Sequence, residues 1–261
     1  MRDVLFVEER RRVILEELRN NGRVSVKELS DRLAVSAVTI RQDLRVLEEE
    51  GLLERTYGGA VHHRKESTAL ELSFHIRQTK KRHEKAAIAA EAARLVQDGF
   101  SVALDASSTV DALVPHLKLF RKLTIVTNSL MIAQHFLDSP HIQVMLPGGR
   151  LRRDSISVVG SPQGLPEVNF NIGFFGARGV SVTEGAMDID SDEVMIKRAM
   201  IARCVHSVVL IDGSKWGQVA PFTFIRADEL RHVITSADAP AAIVSEVRAM
   251  GAEVTIAEDT A

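Results

Sequence analysis

The run Val35-Ser-Ala-Val-Thr-Ile-Arg-Gln-Asp-Leu-Arg-Val-Leu-Glu48 decides how the N-terminal part of the chain is read. Ser36 has a short side-chain oxygen suited to accept from the free N–H groups of a helix start, which makes it an N-cap. Val35 and Ile40 then occupy the two positions of a hydrophobic staple. Ile40, Leu44 and Leu47 recur at i, i+4 and i+7 and form one buried stripe. Thr39, Arg41, Gln42 and Arg45 are left pointing largely away from it.

On the N-terminal side, residues 8–20 read as an amphipathic helix, with Val13 or Ile14 and then Leu18 on its apolar face and Asn21-Gly22 as its stop. An extended piece at 23–26 leads to a second helix at 27–34, with Leu29 and Leu33 spaced i, i+4. On the C-terminal side, residues 52–61 read as a β-hairpin turning at or near Gly58-Gly59. Two short helices, a tight turn, a third helix with a polar outer face and a hairpin make a winged helix-turn-helix. The acidic run Glu48-Glu-Glu50 is expected to face solvent, away from phosphates. Exposed arginines alone would equally suit a small helical interaction domain. The order of the whole constellation within about 60 residues favours DNA.

In a major groove Ser36 and Thr39 can bond phosphates or base edges, Gln42 suits adenine, and Arg41 or Arg45 suits guanine. Arg55 and the wing would meet the backbone, positioning without specifying.

The 261 residues allow two domains. Apolar and charged fractions of 45% and 26% are those of an ordinary soluble globular protein. No apolar run is long enough to span a bilayer, and the charged N-terminus does not read as a signal peptide, so a cytoplasmic protein with no membrane partner is expected. The single cysteine, Cys204, excludes an intramolecular disulfide and reads as core filler rather than nucleophile. The net charge of −2 decides nothing about nucleic acid, because residues 1–66 balance 13 basic against 13 acidic side chains. His62-His63 lacks companion ligands at a zinc-like spacing, so no metal and no cofactor is expected. We divide the chain into a DNA-binding domain at 1–61, a linker at 62–73 and an α/β domain at 74–261. The basic cluster Arg77, Lys80, Lys81, Arg82 and Lys85 reads either as a solvated helical face or as an extra strip contacting DNA phosphates.

From residue 86 helices alternate with short apolar strands: a helix at 86–96, a strand at 101–105, a helix at about 108–117, a strand at 123–127, a helix from Ser129, and strands at 142–146, 172–176, 205–212, 232–235 and 253–257. This alternation predicts an α/β fold with a doubly wound, mainly parallel sheet. Ligands in such sheets lie beyond the carboxyl ends of the strands. There Asp105-Ala-Ser-Ser-Thr109 sets Ser107, Ser108 and Thr109 at a helix start, a ready anion site. Thr127-Asn128-Ser129 repeats the theme, Gly148, Gly149 and Gly176 permit close backbone approach, and Asp212-Gly-Ser-Lys215 adds a carboxylate and an ammonium. Each loop alone is more often a helix cap than a ligand site. Four on one sheet edge point to a polyhydroxylated, phosphorylated small molecule.

The pattern Val35-Ser-x-x-Thr39-Ile-Arg-x-Asp-Leu-x-x-Leu47-Glu, with Gly51-Leu-Leu-x-Arg55 and Gly58-Gly-Ala, resembles the DeoR-type winged helix-turn-helix. Gln42 stands where that family often has a second arginine, and Tyr57, on the expected DNA-contacting wing, where it has histidine. Residues 74–257 resemble the DeoR-type sensor domain through the strand-end loops, Gly176-Ala177, Glu193-x-x-x-Lys197-Arg-Ala-Met200 and Asp212-x-Ser214-Lys215. The resemblance implies a ribose-5-phosphate isomerase-like fold, a sugar-phosphate effector, and effector contacts at Asp105, Ser108, Thr109, Asn128, Gly148, Gly149 and Lys215. Ser107 departs from the glycine often found in the family's phosphate loop. The kinship with an isomerase keeps an enzyme as the alternative, with Glu193 as base and Lys197 or Lys215 as electrophile. A winged helix has no use in an isomerase, so a non-catalytic repressor is expected, acting on operator DNA as a homo-oligomer, dimer or tetramer.

Overall fold

In this computed structural model, residues 7–21, 23–49, 52–56, 58–61 and 74–258 are described. The chain separates into two compact units, Met1–Ala69 and Leu70–Ala261.

The first unit runs α1 (Val7–Asn21), β1 (Arg23–Ser25), α2 (Val26–Leu33), α3 (Ala37–Glu49), β2 (Glu54–Thr56) and β3 (Gly59–Val61). Ile14 and Leu18 of α1, Leu29 of α2 and Ile40, Leu44 and Leu47 of α3 meet in one core, each at most 2% exposed. Ile14 rather than Val13 is the buried member of the first helix. The extended piece after α1 is more than a connector: β1 pairs antiparallel with β3, which pairs with β2, so the wing is a three-stranded sheet in the order β1-β3-β2. The core is pinned by one charge that the periodicity hides. Asp43 on α3 is 2% exposed and accepts from Arg10 Nε at 2.5 Å and Arg11 Nε at 3.2 Å, both on α1.

The second unit comprises α4 (Phe74–Thr79), α5 (Arg82–Ala93), β4 (Ser101–Leu104), α6 (Ser108–Asp111), α7 (Val114–Leu117), β5 (Leu123–Thr127), α8 (Leu130–His135), β6 (Ile142–Met145), β7 (Arg150–Arg152), β8 (Ser157–Val159), β9 (Phe170–Gly176), β10 (Gly179–Ser181), β11 (Gly185–Asp188), α9 (Ser191–Ile201), β12 (Cys204–Ile211), β13 (Phe222–Ile225), β14 (His232–Ser236), α10 (Ala241–Ala249) and β15 (Glu253–Ala257). Seven strands form one wholly parallel sheet in the order β15-β14-β12-β9-β4-β5-β6. Side chains alternate across it. Leu104, Phe174 and Leu210 face a layer of α5 to α8, while Ala103, Phe175 and Val209 face α9, α10 and a small antiparallel sheet of β10, β11 and β13. Both faces being covered explains the uninterrupted apolar strands.

The helix expected over 108–117 is two short helices. Pro115, near the start of α7, has no N–H to carry the first helix forward. Strand order reverses between β4 and β9, which opens a crevice at their carboxyl ends, as doubly wound sheets do. No described helix is long and apolar enough to cross a membrane.

Candidate nucleic-acid face and effector cavity

On the first unit, Ser36 is the N-cap of α3: its Oγ accepts from Thr39 N–H at 3.1 Å and lies 2.9 Å from Thr39 Oγ1. Both hydroxyls are thus tied into the helix start. Arg41, Gln42 and Arg45 are exposed on one face of α3, opposite the buried stripe. Arg55 is exposed on β2, and Glu48, which faces solvent as expected, also accepts from the Arg55 N–H at 2.9 Å and lies 3.6 Å from its guanidinium. Tyr57 and the linker at 62–73 lie outside the described residues.

In the second unit a cavity of about 220 Å³ opens at the switch point between β4 and β9. Ser107 is the N-cap of α6, accepting from Val110 N–H at 3.2 Å, and Ser107, Ser108 and Thr109 all line the cavity. Gly176 closes one wall. A Cβ there would stand 2.3 Å from Ser107 Oγ, so only glycine lets the two strand ends approach this closely. Asp212 and Lys215 reach the same space from the loop after β12, where Asp212 Oδ1 accepts from the Ser214 N–H at 3.0 Å.

Four expected contacts do not face this space. Asp105 is fully buried; Oδ1 accepts from Ser107 N–H at 3.0 Å, and Oδ2 from Gly176 N–H at 2.8 Å with Lys197 Nζ also at 2.8 Å. It braces the two strand ends from behind. Asn128 is also buried, and its amide donates to Glu193 Oε2 at 3.4 Å. Gly148 and Gly149 pack backbone against backbone instead: a Cβ on Gly149 would stand 2.3 Å from the Val159 carbonyl oxygen. Glu193 does line the cavity, held by Ser155 Oγ at 2.5 Å and Ser157 Oγ at 2.6 Å.

The basic cluster after the linker divides: Lys80, Lys81 and Arg82 are exposed, as a solvated face would have them, while Arg77 is half-buried and Lys85 buried. Arg77 on α4, Lys80 and Lys81 after it, and Lys85 on α5 all line the cavity, and Lys85 is only 5% exposed. Lys85 Nζ donates to the Arg77 carbonyl and lies 3.1 Å from Ser108 Oγ, which ties both helices to the anion loop. Periodicity could not show this, because an amphipathic reading sends every lysine outward.

Electrostatics separate the cavity cations into two groups. Burial alone would lower the Lys197 ammonium, but Asp105 and Asp188 outweigh it and hold it above the usual lysine range. Lys85 is the opposite case: burial, with Lys215 and Arg77 nearby, pushes it down to about 8 despite Asp212. Burial and then Arg178 likewise push Arg77 to about 10, and burial lowers Lys215, with Arg178, Arg77 and Lys80 adding to the fall. Eight cationic side chains and five acidic ones line the cavity together with Ser107, Ser108 and Thr109, and one of the cations, Lys85, reaches Ser108 Oγ. That arrangement is built for an anion. The Cys204 thiol, by contrast, donates to the Met200 carbonyl and is pushed up to about 12 by burial, which leaves it a poor nucleophile.

Comparison with known proteins agrees with both halves. Residues 10–66 match the DeoR-like helix-turn-helix domain, and residues 80–237 match the DeoR C terminal sensor domain. The chain is 34% identical to the HTH-type transcriptional regulator GolR of Listeria innocua, over 97% of this chain and 100% of that one. It is 29% identical to the glycerol-3-phosphate regulon repressor of Escherichia coli, over 88% of this chain and 91% of the repressor. Among solved structures it is similar to ribose 5-phosphate isomerase A of Methanocaldococcus jannaschii, at 21% identity and a TM-score of 0.37, covering 51% of this chain and 53% of the isomerase.

Proposed function

The chain belongs to the DeoR family of transcriptional regulators, and from that premise we propose that it represses carbohydrate or related metabolic genes under the control of a small phosphorylated sugar. Arg41, Gln42 and Arg45 read base edges from the exposed face of α3, while Arg55 meets the phosphate backbone. Ser36 and Thr39 set the helix start against the DNA. The effector's phosphate sits on the Ser107–Thr109 loop among Arg77, Lys85 and Lys215. Its hydroxyls meet the cavity carboxylates, and Asp105, Asn128, Gly148 and Gly149 hold the walls from outside the cavity. The protein is cytoplasmic, needs no cofactor, does not catalyse, and acts as a homo-oligomer on paired half-sites.

The observation that carries this reading is the crowding of Arg77, Lys85 and Lys215 beside three hydroxyl-bearing residues at a helix start. The glycerol-3-phosphate regulon repressor among the relatives bears a name of the same ligand class. The test pairs sugar phosphates with their unphosphorylated parents and follows thermal melting of the full chain, with isomerisation assayed in the same mixtures. A phosphorylated member should raise the melting temperature while its parent does not. Lys215→Ala should weaken that ligand by about ten- to a hundredfold, the loss of one charged hydrogen bond. An equal response to both forms would sink the phosphate reading, and turnover would move the protein to the isomerase alternative.

A further inference from the structure

Val38 is 72% exposed on the second residue of α3, and in the first unit only Val7 joins it among the described large apolar side chains that are exposed. Its position is what gives the exposure meaning. Val38, Arg41, Gln42 and Arg45 fall at i, i+3, i+4 and i+7, so the valine shares one helix face with the side chains proposed to read DNA. Ile40, Leu44 and Leu47 fill the opposite face. The N-terminal turn of a recognition helix is also the part that meets base edges.

A valine offers no donor, no acceptor and no charge. The major groove offers it one apolar partner, the 5-methyl group of thymine. Branching at Cβ leaves valine one dominant rotamer in a helix, so little freedom is lost when the contact forms. We propose that Val38 is a specificity-determining residue that packs its isopropyl group on the 5-methyl of a thymine in each operator half-site. The inference rests on the DNA-reading function proposed above and adds the chemistry of one base position to it.

The test uses the full chain and DNA duplexes selected from a random-sequence pool by repeated rounds of mobility shift. Each thymine of the selected sequence is then replaced by deoxyuridine, which removes the methyl and keeps every hydrogen-bonding group. At one thymine per half-site the wild type should lose about fourfold in affinity, the value of one buried methyl-sized group. Val38→Ala should bind thymine and uracil duplexes equally, and the uracil duplex as tightly as the wild type does, which also shows the variant folded. Retention of the full thymine preference in Val38→Ala would overturn the assignment, as would a selected sequence in which no thymine responds to loss of its methyl. A pool from which nothing is enriched would overturn the DNA-reading function itself and this inference with it.

Discussion

Replacing Asp105 by asparagine separates a brace from a ligand contact. The two carboxylate oxygens accept from Ser107 N–H, Gly176 N–H and Lys197 Nζ, on both sides of the group. An amide keeps one oxygen. Turned toward Gly176 and Lys197, it points its NH₂ at the Ser107 N–H, and an unsatisfied buried donor costs about 1–3 kcal/mol. Lys197 also loses one of its two carboxylate partners while only 3% exposed, and breaking a buried ion pair costs about 3–5 kcal/mol. These costs overlap, since they concern one cluster, so about 3–5 kcal/mol is expected in all. For a unit of this size each kcal/mol lowers the melting temperature by about 2–4 °C, which gives a fall of roughly 6–20 °C. Calorimetry of the full chain without effector should show one transition shifted by that amount and the winged-helix transition unmoved. Adding Lys197→Met to Asp105→Asn should cost less than the two separate losses summed. If the unliganded transition stays within about 2 °C of wild type and only the effector-induced rise is lost, Asp105 is a ligand contact and the brace is wrong.

Two further outcomes follow from the same structure. Lys85 is held down to about 8 by burial, and a bound phosphate dianion would favour its charged form, so above about pH 8 binding must take up a proton. Affinity for whichever phosphate ester raises the melting temperature should be level between about pH 7 and 8 and fall by up to about tenfold per unit above that, with the fall made shallower in Lys85→Arg; calorimetry that stays level to about pH 9.5 refutes it. In the first unit, Asp43→Ala removes the acceptor of three guanidinium hydrogen bonds in a buried site and should destabilise that unit by about 3 kcal/mol. A melt followed by circular dichroism that matches the wild type would show that the Arg10 and Arg11 contacts contribute nothing.

The sequence made visible whatever depends on local period. Ile40, Leu44 and Leu47 announced α3, and the apolar runs ending at Leu104, Thr127 and Gly176 announced the parallel sheet and the crevice beyond it. Short antiparallel pieces such as β10 and β11 were not legible, because three or four residues carry no alternation and both faces are largely buried. The burial of charged residues was not legible for a related reason. Asp43 is buried only because Arg10 arrives from another helix, and Lys85 only because α4 brings the Arg77 carbonyl over it. Nothing in the neighbouring residues encodes either meeting. At Asp105 the residue type was right for a carboxylate at a strand end, but hydrogen bonds to Gly176, from a strand far along the chain, decide that it faces inward.

The position of β4 has a consequence in time. It is the first strand of the parallel sheet to be made, yet one of its edges stays open until β9 exists, since Val102 pairs with Ile172. The winged helix closes over much shorter stretches of chain, Arg23 with Val61 and Arg10 with Asp43. Pairings between distant residues form slowly, and chains emerge from the ribosome N-terminus first. We therefore expect each new molecule to acquire its DNA reader well before the pocket that governs it, an interval in which effector has nowhere to bind. Stopped-flow refolding would expose the interval as helix signal from residues 7–49 preceding recovery of effector binding; simultaneous recovery of the two would refute it.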